Sequence, residues 1–183
     1  LNDDKVAVYI NESSGLSTPS FAANTITTSA DAAQSVYAAD VDGDGDMDVL
    51  SASGNDDKIA WYENNGSQSF TEHAISTSAD QAKSIYAVDV DSDGDMDILS
   101  ASFGDNKIAW YENDGSESFT AHTITNDATG AWSVYAVDVD GDGDVDVLSA
   151  SASDGKIAWY QNSAGRNAPL VTSVTSTKGN GSY

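Results

Sequence analysis

Fifteen aspartates fall in three runs of one spacing: Asp40, Asp42, Asp44, Asp46 and Asp48; Asp89, Asp91, Asp93, Asp95 and Asp97; Asp138, Asp140, Asp142, Asp144 and Asp146. Each run alternates a carboxylate with one other residue and carries glycine at its sixth position, as Gly45, Gly94 and Gly143. Side chains one, three and five residues along a tight loop converge on one point, and the glycine permits the sharp turn. The seventh residue can offer its backbone carbonyl, and the ninth closes the sphere. All these donors are hard oxygen, which suits calcium rather than zinc or copper. Without a cation, converging carboxylates in a partly buried loop repel one another. The spacing therefore predicts three calcium sites. The plainer alternative, a solvated acidic turn, does not explain three faithful copies. An EF-hand also fits poorly: its twelfth position requires a bidentate Glu, but Ser51, Ser100 and Ser149 stand there.

The loops recur because the whole chain is a repeat. DVDGDGDMDVLSAS from Asp40 returns from Asp89 and from Asp138, a spacing of 49 residues both times. KIAWYEN at Lys58 returns at Lys107 and, as KIAWYQN, at Lys156; SFTEHAI at Ser69 returns as SFTAHTI at Ser118. NDDKVAVYIN at Asn2 is a partial upstream copy of NDDKIAWYEN at Asn55. The units predicted are residues 1–34 as the back half of a repeat, 35–83 and 84–132 as whole repeats, and 133–166 as a partial one. Residues 167–183 read as a linker and the start of a following strand or immunoglobulin-like module, so the chain reads as part of a longer one.

Four strands are predicted in each repeat: Ser35–Val41, Met47–Ala52, Lys58–Glu63 and Phe70–Ile75, the last after an Asn-Gly turn. Four short strands per 49 residues predict an all-β fold of β-propeller blades, incomplete as a ring, with the calcium loop between first and second strands. Kelch Gly-Gly doublets, WD40 Trp-Asp pairs and a leucine-rich period are all missing.

Composition narrows the function classes. Thirty acidic residues against seven basic ones give a net charge of −23, which repels phosphate backbones and anionic lipid, so no nucleic-acid partner and no membrane insertion are expected. The acids are mostly Asp, a turn former and cation ligand, not the Glu of a solvated helix. Absence of Cys excludes disulfides and thiolate chemistry.

Strand–DxDxDGxxD–strand in blade-sized repeats resembles the FG-GAP and VCBS-type repeats, as in the calcium-binding blades of integrin alpha-subunit propellers. The resemblance covers Leu1–Asn162, although the FG and GAP signatures themselves are absent apart from Phe103-Gly104. It implies side-chain ligation at positions 1, 3, 5 and 9 and carbonyl ligation at position 7.

Other candidates carry less. Trp61, Trp110 and Trp159, each beside a Tyr, could stack on sugars but are expected to pack blade on blade. His73 and His122, each alone on an edge strand, are expected at the surface, and the lysines at 5, 58, 107 and 156 to pair with nearby acids. Asn11, Asn65 and Asn180 begin N-x-S sequons. Catalysis needs one unique constellation, and the repeats differ mainly at Gln34, Lys83 and Trp132, at Phe103, and between Gly15 and Phe21. None of these combines nucleophile, base and oxyanion donor, so no enzyme is expected. The expected function is a secreted, calcium-stabilised structural, adhesive or filament-forming module. Its expected partners are copies of itself or adjacent domains of a longer chain, joined by strand addition through Val171–Thr177. A glycan-binding propeller, or an accessory domain of an extracellular polysaccharide-acting enzyme, is the alternative, with glycans or extracellular proteins as ligands.

Overall fold

The computed structural model describes residues 4–11, 18 and 20–163. Among these there is no helix, and every strand pairing is antiparallel. β1 (Val6–Asn11) and β2 (Phe21–Thr27) form a two-stranded sheet. β3 (Ala33–Ala39), β4 (Asp48–Ser53), β5 (Lys58–Asn64) and β6 (Phe70–Ser76) form a four-stranded meander. β7 (Ala82–Val88), β8 (Asp97–Ser102), β9 (Lys107–Asn113) and β10 (Phe119–Thr125) repeat it. β11 (Ala131–Val137), β12 (Asp146–Ser151) and β13 (Lys156–Tyr160) form the first three strands of a third copy. Among the described residues no barrel closes, and the arrangement is consistent with an incomplete β-propeller-like repeat fold.

The sheets stack face on face. Leu50, Ile59 and Trp61 of one sheet pack with Ile85, Ala87 and Ile98 of the next, and Leu99 and Ile108 pack with Val134 and Val147 in the second layer. Alanines between them let the sheets approach closely. One buried serine of each second strand meets a tyrosine hydroxyl across the sheet: Ser51 with Tyr62 at 3.2 Å, Ser100 with Tyr111 at 3.5 Å and Ser149 with Tyr160 at 3.1 Å. The first strands of successive sheets are tied directly, since Ser35 Oγ accepts the Ile85 N–H and Ser84 Oγ the Val134 N–H. Along these strands Tyr37, Tyr86 and Tyr135 form a ladder with ring centroids 4.8 Å apart. Burial raises the pKa of Tyr86, and its hydrogen bonds with Tyr37 and Tyr135 push it the same way.

Two expectations are corrected. The first strand ends at Ala39, not Val41. Val41 is buried, as its β-branched type suggested, but its N–H turns to the Asp48 carboxylate instead of a neighbouring strand. His73 and His122 are part-exposed, as expected, but they do not stand alone on their strands. Each stacks on a tryptophan, Trp61 at 4.5 Å and Trp110 at 4.6 Å, and bonds a glutamate, Glu63 at 2.8 Å and Glu112 at 2.6 Å. Trp61 is thereby buried, as the packing reading expects. The lysine expectation holds for Lys58, Lys107 and Lys156, which pair with Asp56, Asp105 and Asp154, but Lys5 makes no ion pair among the described residues. Val171–Thr177, Asn180 and the side chain of Asn11 lie outside the described residues.

Candidate metal centres

Each aspartate run connects the first and second strands of its sheet, β3 to β4, β7 to β8 and β11 to β12. The ladder closes on a pair that brings the last strand residue opposite position 9: Ala39 with Asp48, Val88 with Asp97, Val137 with Asp146. What lies between must turn within eight residues. The sixth position does so with φ of 94°, 101° and 98° at Gly45, Gly94 and Gly143, a region open to glycine at little cost. The fourth position is also left-handed, and there Gly43 and Gly141 are matched by Ser92 at φ 66°.

Carboxylates then organise the loop through its own backbone. Position 1 reaches forward five residues: Asp40, Asp89 and Asp138 accept the N–H of Gly45, Gly94 and Gly143 at 3.0–3.1 Å. Position 3 accepts the N–H of position 5, and position 5 accepts the N–H of position 7. Position 9 is fully buried in all three copies. Asp97 accepts from Val90 at 3.0 Å with one oxygen and from Asn113 at 2.8 Å with the other. Asp48 and Asp146 do the same with Val41 and Asn64, and with Val139 and Asn162.

This folding brings positions 1, 3 and 9 together. In Asp40–Asp42–Asp48, Asp89–Asp91–Asp97 and Asp138–Asp140–Asp146, one carboxylate oxygen from each residue lies within 4.8 Å of the others. Position 5 (Asp44, Asp93 and Asp142) and the side chains of position 7 (Asp46, Asp95 and Asp144) are not members of these triads. A β-carbon on Gly66 or Gly115 would run into the carboxylate of Asp46 or Asp95, so position 7 packs its side chain on the turn between third and fourth strands. That role was not visible in the spacing.

The charge is uncompensated. Burial raises the pKa of Asp42, and the carboxylates of Asp48, Asp44 and Asp40 reinforce it against the Asp44 N–H. Asp91 is raised by burial and by Asp93 and Asp89. Burial also raises Asp97, opposed by the N–H groups of Asn113 and Val90. Oδ1 of Asp40 is buried with no hydrogen-bond partner. Converging carboxylates that repel one another, with a buried oxygen left without a donor, are the setting in which a hard divalent cation fits.

A second set of contacts joins the first two loops to the sheets that follow them. Asn113 Nδ2, at the end of β9, donates to Val41 O at 3.4 Å and to Met96 O at 3.2 Å. Asn162 Nδ2 donates to Val90 O at 3.0 Å. The second residue of one loop is thus held by the asparagine that also completes the next loop, through position 9.

A model described as the FG-GAP-like repeat matches the chain three times, over residues 1–51, 40–100 and 89–149. Each match ends just beyond one aspartate run. Comparison with curated proteins finds no match.

Proposed function

Because the chain belongs to the FG-GAP-like repeat family, we propose that its three loops bind calcium and that the ions hold the repeats rigid as a structural and adhesive module outside the cell. The observation that carries this reading is the threefold recurrence of one oxygen triad at positions 1, 3 and 9. Positions 5 and 7 complete the coordination, position 7 through its carbonyl, as the family resemblance implies. The bound ion removes the mutual repulsion of the carboxylates and fixes the turn between first and second strands. Through Asn113 and Asn162 it also steadies the contact with the next sheet. Oxygen-only donors favour calcium, and a millimolar extracellular supply suits weak sites with dissociation constants of about 0.1–1 mM.

The module does no chemistry of its own in this reading. Three equivalent sites serve cohesion, and no nucleophile is matched with a base in any of them. Its partners are further copies or adjacent parts of a longer chain, added at sheet edges. Among the described residues β13 offers such an edge, where β6 and β10 occupy the corresponding place in the other two sheets.

Thermal unfolding with calcium and with chelator tests the proposal. At ten times its dissociation constant each ion adds about 1.4 kcal/mol, and three independent ions about 4 kcal/mol. A melting midpoint unchanged by chelator would count decisively against it.

A further inference from the structure

Departures from the repeat gather in one place. Gln34, Lys83 and Trp132 share one repeat position; Gly54, Phe103 and Ala152 share another. The first three are bulge residues. Ala33 pairs with Ser53 and Ser35 with Ala52, so Gln34 between them has no ladder partner, and the same shift isolates Lys83 and Trp132. A bulge re-aims its extra side chain. All three stand at the starts of β3, β7 and β11, at the end of each strand away from the aspartate loop.

These side chains meet across the sheets. Lys83 Nζ donates to Gln34 Oε1 at 3.5 Å and lies 5.4 Å from the Trp132 ring and 6.0 Å from the Phe103 ring. Phe103 and Trp132 meet edge to face at 6.1 Å. Trp132 is 52% exposed and Gln34 is exposed. Lys83 differs from Lys58, Lys107 and Lys156, because its ammonium meets no carboxylate among the described residues. Beside it stands Gly54, where a β-carbon would meet Ala82 O at 3.3 Å, with Gln34 Cγ at 3.5 Å and Lys83 Nζ at 3.8 Å.

The row thus offers a flat indole, an amide that donates and accepts, and an ammonium without a counter-charge. A pyranose complements all three: its C–H face lies on the indole, its hydroxyls meet the amide, and a ring carboxylate meets the ammonium. The net charge of −23 repels polyanions at long range, but screening beyond about 8 Å leaves a single contact charge attractive. We infer that Gln34, Lys83 and Trp132, with Phe103 behind them, bind a glycan through one carboxylate-bearing sugar. Trp61 and Trp110 cannot serve this purpose, being stacked against His73 and His122. The site lies apart from the aspartate loops and does not depend on the proposed metal sites.

Calorimetric titration of the chain in saturating calcium tests the assignment. The probes are a disaccharide of glucuronate linked to a neutral hexose, and the same disaccharide with its carboxylate reduced to the alcohol. The acid is expected to bind at least tenfold more tightly than its neutral counterpart. Lys83→Gln should erase that preference, and Trp132→Ala should weaken both sugars about tenfold, with melting midpoints unchanged. No binding of either sugar at millimolar concentration, equal binding of the two, or an unaltered preference in Lys83→Gln would overturn the inference. Calcium stoichiometry measured on the same samples keeps this outcome separate from that of the metal proposal.

Discussion

Asp97 acts first as a clamp on its own loop. Buried, with each oxygen accepting a backbone N–H, it closes the loop on Val90 and Asn113 whether or not an ion is present. Asp91 is different: it accepts only the Asp93 N–H, with the other oxygen free to turn to a cation. Asp97→Ala should therefore cost about 2–4 kcal/mol in chelator as well as in calcium, because two buried N–H groups lose their acceptor. Asp91→Ala should cost little in chelator and lower stability mainly when calcium is supplied. Equal losses under both conditions for both variants would contradict this division. Ser92 supplies a further test. It holds φ at 66° where the other two loops have glycine, so Ser92→Gly should stabilise the chain by about 0.5–1 kcal/mol in denaturant unfolding.

Loop and neighbouring sheet act together because an asparagine spans them. Asn113 bonds carbonyls on two successive loops, one of them on a residue 72 positions earlier in the chain. Asn113→Ala should lower stability by about 2 kcal/mol and speed amide exchange selectively over residues 40–48 and 89–97. Exchange that rises evenly over all three sheets would contradict the link. Such contacts explain what could be read from the sequence and what could not. The strands, the turn glycines and the aspartate runs depend on neighbours within nine residues, so period and spacing revealed them. Asn113, the His73–Trp61 stack and the bulges at Gln34, Lys83 and Trp132 depend on which strands lie side by side. Val41 was misread for the same reason: its apolar side chain signals burial, while the direction of its N–H is decided by Asp48 across the loop.

The stack of sheets is held by repetition, so its exposed ends differ from its middle. Ile157 is 65% exposed, whereas its equivalents Ile59 and Ile108, each covered by a fourth strand and a neighbouring sheet, are fully buried. An uncovered strand carrying an apolar side chain recruits a partner strand. Sedimentation should accordingly reveal concentration-dependent association that Ile157→Lys weakens; a monomer at every concentration would remove strand addition from the account. The calcium claim underlies the rest, since it assigns one ion to each repeat. Calorimetric titration of calcium into the metal-free chain measures it most directly. Three ions per chain are predicted, falling to two in Asp91→Ala; a chain that takes up no calcium, or a variant that still binds three ions, would contradict the account.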